Sequence, residues 1–401
     1  SVNGGENWSK LSGNVPTIAF RDLKIHRRDE DLVGASFGRG FYVLDDYTAL
    51  RDIAEGALEK EAHLFPVRDA WWYVPYTPMQ TQGQPTLGST YFTAENPPFG
   101  ALITYYVKEA PLSKKEQRHK TEKERREQGQ NIPFPSWERL RMEATDEKPK
   151  VMLLIRDADG RPLRWLEGAA EAGLQRTNWD LRLAPTSPIK LEKPAFVSPW
   201  QRPPQGPMVS PGQYAVELFV WAADGLRSMG EPQSFVVKAV PTAPDGTDFA
   251  AVAEFQRQAA ELLRRVGGAG KEIERTKSRL KHIKAALIET PQAAQGLLTR
   301  THELEVILSG LSTRLLTDEV RGKLNEPSVP TIQERVGRVI WGVGNTRQMP
   351  TATQRTNLQI AQEEFEGLVQ ELATLIEHEL AELEQELEAA GAPWTPGRKL
   401  G

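Results

Sequence analysis

The alternation of apolar and polar positions divides the chain into stretches of two different periods. Residues 1–50 and 62–246 contain short runs rich in β-branched and aromatic residues, separated by Gly, Asp and Pro. Such runs predict antiparallel strands joined by turns. From residue 247 onward, apolar residues recur at three- and four-residue spacing, which predicts amphipathic helices. We therefore expect a multidomain protein of mixed β plus α class.

Residues 62–246 carry the strongest strand signal. The clearest strand is 101–107, and the Asp-Gly at 159–160 supplies the positive φ that a hairpin turn requires. The other predicted strands are 151–156, 161–166, 175–181, 213–222 and 233–240. Because no helical pattern separates these later strands, they favour an antiparallel sandwich. The proline-rich loop 184–210 is expected to be extended and exposed.

The helical stretch begins with Thr247 or Asp248 as a predicted N-cap. Further helices are predicted over about 293–316, 332–343 and 353–390. The glycines between 267 and 270 are expected to kink or divide the first helix. Together the stripes predict an antiparallel bundle over 247–391, with a C-terminal tail over 392–401.

The opening residues 1–50 are not expected to fold independently, because two or three strands cannot bury a core alone. They must pack on another part of the protein. A short helix from Thr48 to about Leu58 is expected to follow, so that 51–61 act as a linker to the sandwich.

A run of charge interrupts the sandwich within the predicted insertion 111–149. Residues 113–127 contain seven Lys or Arg and four Glu, with nothing apolar to bury. A solvated helix or a disordered insertion is the expectation, and a patch that binds polyanions is the alternative.

Composition narrows the functional classes. The chain has 401 residues and a formal net charge of −4, which gives no electrostatic reason to expect nucleic acid as a partner. No apolar run is long enough for a transmembrane helix. The absence of cysteine excludes disulfides and thiolate chemistry. The first residues are not those of a signal peptide and include no initiating Met, so we expect a processed product or a fragment.

The first eight residues, SVNGGENW, resemble an Asp-box, the S-x-D-G-G-x-x-W turn of BNR-repeat and sialidase-type β-propellers. The matching positions are Ser1, Asn3, Gly5 and Trp8, with Asn3 at the acidic position. The segment 38–46, GRGFYVLDD, resembles the closing strands of large bacterial BNR-repeat proteins, which are described as sialidase-, sortilin- or glycosyl-hydrolase-like.

Four later segments are similar to the region that follows the propeller in that family: 62–66, 96–101, 179–182 and 392–398. The resemblance implies that 1–50 are the last blade strands of a propeller, that 62–246 form an immunoglobulin-like sandwich and that 247–391 form a helical bundle. It also implies that most of the propeller lies upstream, as the natural partner of this chain, and that the location is extracytoplasmic, either secreted or periplasmic.

The sequence offers no complete catalytic set. An Asp-box is a turn device, in which a polar side chain bonds turn amides and Trp8 packs between sheets. A glycosidase needs two carboxylates flanking a sugar, but Asp157 and Asp159 are expected in a turn and Asp45-Asp46 at a helix cap. His302-Glu303 begins like a zinc-binding helix motif, yet position 306 is Val. No metal or cofactor is expected.

The aromatic residues after the linker could have either of two roles. Trp71, Trp72, Tyr73 and Tyr76 either form core and domain interface or present outward rings that contact a glycan. Trp200 and Trp221 are interpreted in the same way.

Three functional hypotheses remain. The first is a non-catalytic accessory region that stabilises the propeller and contacts a protein or polysaccharide. The second is one wall of a glycoside hydrolase cleft, with Arg39, Asp45 or Trp71 at the propeller mouth. The third is a structural or assembly role through the helices, which includes oligomerisation.

Overall fold

The chain was analysed as a computed structural model, which describes residues 1, 4–6, 8, 10, 15, 17–53, 56–75, 88, 90, 97–192, 196–198, 203–241 and 246–399. These residues form antiparallel sheets and α-helices, which confirms the predicted β plus α class. The chain divides into two compact units. The first comprises residues 1–184 with 209–242, and the second comprises 185–208 with 243–401.

The first unit opens with a three-stranded antiparallel sheet of β1 (Phe20–His26), β2 (Asp31–Ser36) and β3 (Phe41–Leu44), in that order. Across the β1–β2 turn His26 pairs with Asp31, and Gly34 on the central strand pairs with Leu23 and Tyr42. Helix α1 (Ala49–Ile53) and a 3-10 turn (Ala57–Glu59) follow.

Two more sheets complete this unit. Their strands, in chain order, are β4 (Ala62–Leu64), β5 (Ala70–Trp72), β6 (Ala101–Val107), β7 (Lys150–Asp157), β8 (Pro162–Gly168), β9 (Gly173–Trp179), β10 (Gly212–Ala222), β11 (Gly225–Ser228) and β12 (Gln233–Ala239). One sheet has the order β4-β6-β9, and the other has the order β5-β12-β10-β7-β8, with β11 also on β10. The β5–β12 pair is parallel, whereas all other pairs are antiparallel among the described strands.

The core of these two sheets follows strand alternation. Tyr214, Val216 and Leu218 on β10 are buried at every second position. Trp179, at the end of β9, is fully buried, and its ring meets the ring of Tyr214 edge-on with 5.2 Å between centroids. Because Trp179 and Tyr214 belong to different sheets, this contact joins the two sheet faces.

The predicted insertion contains two helices, α2 (Lys114–Glu127) and α3 (Trp137–Ala144). Ser113 and Glu116 form a capping box at the start of α2, so the N–H groups of its first turn have partners. No residue of α2 is buried, in agreement with a sequence that lacks apolar residues. The charge run is therefore a helix exposed to solvent.

Helices build the second unit. They are α4 (Phe249–Ile288), α5 (Gly296–Leu315), α6 (Glu319–Lys323), α7 (Ile332–Gly344), α8 (Ala352–Thr374), a π-helical turn (Leu375–Leu380) and α9 (Ala381–Ala389). Asp248 caps α4, while Thr331 and Thr351 form capping boxes with Glu334 and Gln354. The apolar stripes of these helices share one core, in which Ile273, Leu308, Val336, Phe365 and Leu380 are buried.

The glycines of α4 do not divide it, so of the two outcomes expected from the sequence, a kink or a division, the division is wrong. The helix is continuous from Phe249 to Ile288. A Cβ on Gly267 would lie 3.0 Å from Pro188 Cδ, and one on Gly270 would lie 3.1 Å from Leu316 Cδ2. These two glycines allow close approach of neighbouring side chains, and their helical conformation is held by the surrounding contacts.

Over the part of the chain that the structure describes, no helix combines the length and the apolar character that crossing a bilayer demands.

Candidate functional site

The Asp-box-like segment forms a local turn. The Gly5 N–H donates to Ser1 Oγ at 2.8 Å, and the Trp8 indole N–H donates to the Gly5 carbonyl at 3.1 Å. Gly4 and Gly5 both have positive φ, which glycine adopts at no steric cost. The Trp8 ring is 81% exposed, and Asn3 lies outside the described residues. The described contacts serve turn formation.

The aromatic residues of β5 alternate between core and surface. Trp72 is buried and its indole N–H donates to the Val209 carbonyl at 2.6 Å. Trp71 on the opposite face is exposed, and so is Tyr73, whose ring meets Phe99 edge-on. Tyr76 and Trp200 lie outside the described residues, whereas Trp221 on β10 is partly exposed. Trp71, Tyr73 and Trp221 are therefore the described members of this set with accessible faces.

The acidic residues singled out in the sequence hold the backbone. Asp157 Oδ1 accepts the N–H groups of Asp159 and Arg161 at 3.0 and 2.9 Å. Asp46 Oδ1 accepts the N–H and the hydroxyl of Thr48 at 3.2 and 2.5 Å, at the start of α1. Asp157 thus occupies the turn position that the sequence predicts, whereas Asp46 bonds Thr48, the residue before α1, and no amide of the helix.

A polar cluster that the sequence did not indicate lies where β1–β3 meet the rest of the first unit. We call Arg68 and Arg176 the arginine latch. Arg68 Nη1 donates to Asp31 Oδ1 at 3.1 Å and to the Asp29 carbonyl. Arg176, on β9, donates through Nη1 to the Asp45 carbonyl at 2.6 Å and through Nη2 to the Asp46 carbonyl.

The latch holds the first sheet through main-chain atoms as well as charge. The Asp46 N–H also donates to Asp31 Oδ1 at 3.0 Å, so Asp31 joins Arg68 to the segment that Arg176 binds. Charge-assisted bonds of this kind are stronger than neutral ones. The latch residues lie about 40 to 130 positions from their partners in the chain, so no local pattern could predict them.

Within this cluster, the carboxyl group of Asp45 lies where its ionised form is disfavoured. Its burial raises its pKa, and the nearby Asp31 carboxylate raises it further, while Arg176 and Arg68 oppose the shift. The cluster therefore provides one carboxyl group with a raised pKa, while Asp31 is engaged by Arg68 and Asp46 by Thr48.

His26, Asp29 and Asp31 bring three potential ligand atoms within 4.8 Å of one another. The arginines on these carboxylates disfavour a cation there. Arg28 donates to Asp29 Oδ2 at 2.8 and 2.9 Å, and Arg68 binds Asp31. We therefore interpret His26, Asp29 and Asp31 as part of a network of ion pairs at a hairpin.

The first sheet presents an apolar surface to solvent. Strand register places Phe20, Leu23 and Ile25 of β1 on one side of the sheet, together with Leu32 and Tyr42 of the neighbouring strands. Phe20 packs edge-on against Tyr42 at 5.6 Å. Leu23 and Ile25 remain 59% and 53% exposed. We call these five residues the β1 apolar face.

Comparisons with protein-family models, with curated proteins and with solved structures found no match for this chain.

Proposed function

We propose that this chain is the non-catalytic C-terminal accessory region of an exported BNR-repeat β-propeller protein. In this proposal β1–β3 are the last strands of a blade, β4–β12 form an immunoglobulin-like sandwich, and α4–α9 form a helical bundle. The chain braces the end of the propeller, whose neighbouring blade covers the β1 apolar face. Export rests on the family resemblance alone.

The β1 apolar face is the observation that carries this proposal. A sheet that exposes several adjacent apolar side chains gains free energy when another surface covers them. Covering the exposed parts of Leu23 and Ile25 would contribute about 1 kcal/mol each. A propeller blade supplies a matching surface, because its strands present side chains to the next blade on the same face.

The arginine latch supports the same role. It fixes the first sheet to the following module at both ends of the segment 29–46, through Arg68 and Arg176. A brace requires such a rigid connection, because a flexible one would not transmit stability from the sandwich to the blade.

Cysteine labelling tests the proposal, since the chain has no cysteine of its own. Leu23→Cys reports on the β1 apolar face, and Ile288→Cys, at an exposed apolar position of α4, is the matched control. In the 401-residue chain, both thiols should react with a maleimide at similar rates. In the product of the natural gene that includes the codons before Ser1, Leu23→Cys should react at least tenfold more slowly, while Ile288→Cys stays unchanged.

Equal labelling of Leu23→Cys in the two proteins would overturn the proposal. So would a reading frame that encodes no further Asp-boxes before Ser1. Saturable hydrolysis of aryl sialosides or other aryl glycosides by the 401-residue chain would contradict its non-catalytic character.

The raised pKa of Asp45 favours a second candidate, in which the chain forms one wall of a glycoside hydrolase cleft. A carboxyl group of raised pKa is suited to general acid catalysis. If the longer gene product is a glycosidase, Asp45→Asn should lower its kcat at least a hundredfold and remove the alkaline limb of its pH profile. Full activity of that variant would exclude this role.

A further inference from the structure

The insertion helix α2 carries basic residues at regular spacing along one face. Lys115, His119, Lys123 and Arg126 follow each other at intervals of four, four and three residues, which places them on one side of an α-helix. All four are exposed. At 1.5 Å rise per residue they span about 16 Å. We call them the α2 cationic stripe.

Several carboxylates near the stripe are occupied by other groups, while Glu124 and Glu127 are exposed beside its C-terminal half. Arg118 holds Glu143 through three hydrogen bonds of 2.8 to 3.1 Å and Glu122 through one of 2.8 Å. Glu116 bonds Ser113 in the capping box, and Glu109 pairs with Lys120 at 3.3 Å. Within the described residues, Lys115, Lys123 and Arg126 form no ion pair, so their charges face solvent.

These contacts also make the stripe rigid. The bond pattern of Arg118 fastens α2 to α3, because Glu143 is a buried residue of that second helix. A helix of this length without buried residues is marginal in isolation. The capping box and the Arg118–Glu143 pair therefore keep Lys115, Lys123 and Arg126 in line, so that little conformational entropy is lost on binding.

We propose that the α2 cationic stripe binds a linear acidic polysaccharide, whose carboxylates lie along the helix. Nucleic acid is disfavoured by the net charge of −4, because nucleic-acid-binding domains are typically basic. Phe134 and Trp137, at the start of α3, are two exposed rings with centroids 5.8 Å apart, and they offer sugar rings an apolar face.

This inference is independent of the proposed accessory role, because α2 shares no residue with the β1 apolar face. Binding of polygalacturonate to the 401-residue chain tests it, with neutral dextran as the ligand control. Lys115→Ala/Lys123→Ala/Arg126→Ala should weaken binding at least tenfold and flatten its salt dependence, since fewer counterions are released. A Lys115→Arg/Lys123→Arg variant keeps the charges and should retain binding.

The matched control removes the same formal charge from three exposed cations that are each paired with a carboxylate. Arg257, Arg264 and Lys271 lie on α4 beside Glu254, Glu261 and Glu274, and their replacement by Ala should change affinity less than twofold. Equal losses in the two triple variants, or no binding of polygalacturonate, would overturn the proposal. Equal or tighter binding of single-stranded DNA or of phosphatidylglycerol vesicles would also overturn it.

Discussion

Gly100 lies so close to Trp179 that a side chain on it has no room. A Cβ built on Gly100 would be 1.9 Å from the Trp179 carbonyl oxygen, and Gly100 has a φ of +118°. Asn178, next to Trp179, donates its side-chain N–H to the Phe99 carbonyl at 2.7 Å. The loop before β6 is thus tied to the end of β9, where Trp179 enters the core.

Gly100→Ala should therefore destabilise the first unit by about 3 kcal/mol, because both the contact and the positive φ must change. Urea unfolding followed by tryptophan fluorescence measures this effect. Gly310→Ala is the control: Gly310 lies within α5 with nothing near its Cβ position. That change should stabilise by roughly 0.5 to 1 kcal/mol. If the Gly100→Ala variant is as stable as the wild type, the close approach of Gly100 to the Trp179 carbonyl does not restrict this position.

Arg176→Ala should loosen the first sheet, since it removes two charge-assisted hydrogen bonds to main-chain carbonyls. We expect a loss of about 1 to 2 kcal/mol. Hydrogen exchange of the amides at 45–48 should quicken, while exchange in α4–α9 stays the same. Arg161→Ala, on the exposed turn beside Asp159, should leave both regions unchanged. If the amides at 45–48 exchange at the wild-type rate in both variants, the latch contributes nothing to the stability of the first sheet.

Asp45→Asn should raise the melting temperature at pH 7. The folded-state pKa of Asp45 is raised by burial and by Asp31, so protonation favours the folded state and its charge at neutral pH is a cost. The wild type gains stability as pH falls through this raised pKa. The advantage of Asn should shrink as the pH approaches about 4, near the ordinary Asp value.

The control for that experiment is Asp159→Asn, at an exposed turn position. Its melting temperature should equal that of the wild type at pH 7 and also at pH 4. A lower melting temperature for Asp45→Asn at pH 7 would mean that the carboxylate makes a favourable contact instead.

Tyr105 predicts how stability changes at alkaline pH. Its ring is fully buried on β6, its hydroxyl donates to the Ala169 carbonyl at 2.8 Å, and burial raises its pKa to about 12. The unfolded chain ionises this group near pH 10. Stability should therefore fall as pH rises from about 10 to 12. Tyr105→Phe should reduce that fall, at a cost of about 1 kcal/mol at pH 7, whereas Tyr73→Phe should leave the profile unchanged.

Glu384→Gln should destabilise the helical unit, because it leaves a buried guanidinium without its counter-charge. Arg279 donates to Glu384 Oε1 at 2.7 and 3.2 Å, and both side chains are nearly buried. We expect a loss of about 3 kcal/mol in urea unfolding followed by circular dichroism. Glu382→Gln, whose partner Arg300 lies in an exposed pair, should cost less than about 1 kcal/mol.

Replacing both partners, with Arg279→Met and Glu384→Leu together, should recover most of the stability lost in Glu384→Gln. If the double variant is less stable than Glu384→Gln alone, the ion pair is a net stabilising contact and this account of its energetics fails.

The local sequence pattern determined those strands, helices and caps that depend on residues close together in the chain. The alternation at 101–107 gave β6 with its observed bounds, and the stripe at 332–343 gave α7 to within one residue. The capping box of Thr331 and Glu334 is visible in the sequence, since its partners are three residues apart. In such cases the deciding interactions lie within one turn or one strand.

The three-dimensional fold alone decided the features whose partners are distant in the chain. Trp71 pairs with Lys238 in the parallel β5–β12 contact, and Arg176 reaches Asp45 across about 130 residues. Gly267 remains in a continuous α4, because contacts of the folded helix outweigh the intrinsic cost of glycine. Sequence by itself therefore determined elements such as β6 and α7, whereas strand pairing, the arginine latch and the exposed apolar face depend on which distant side chains meet.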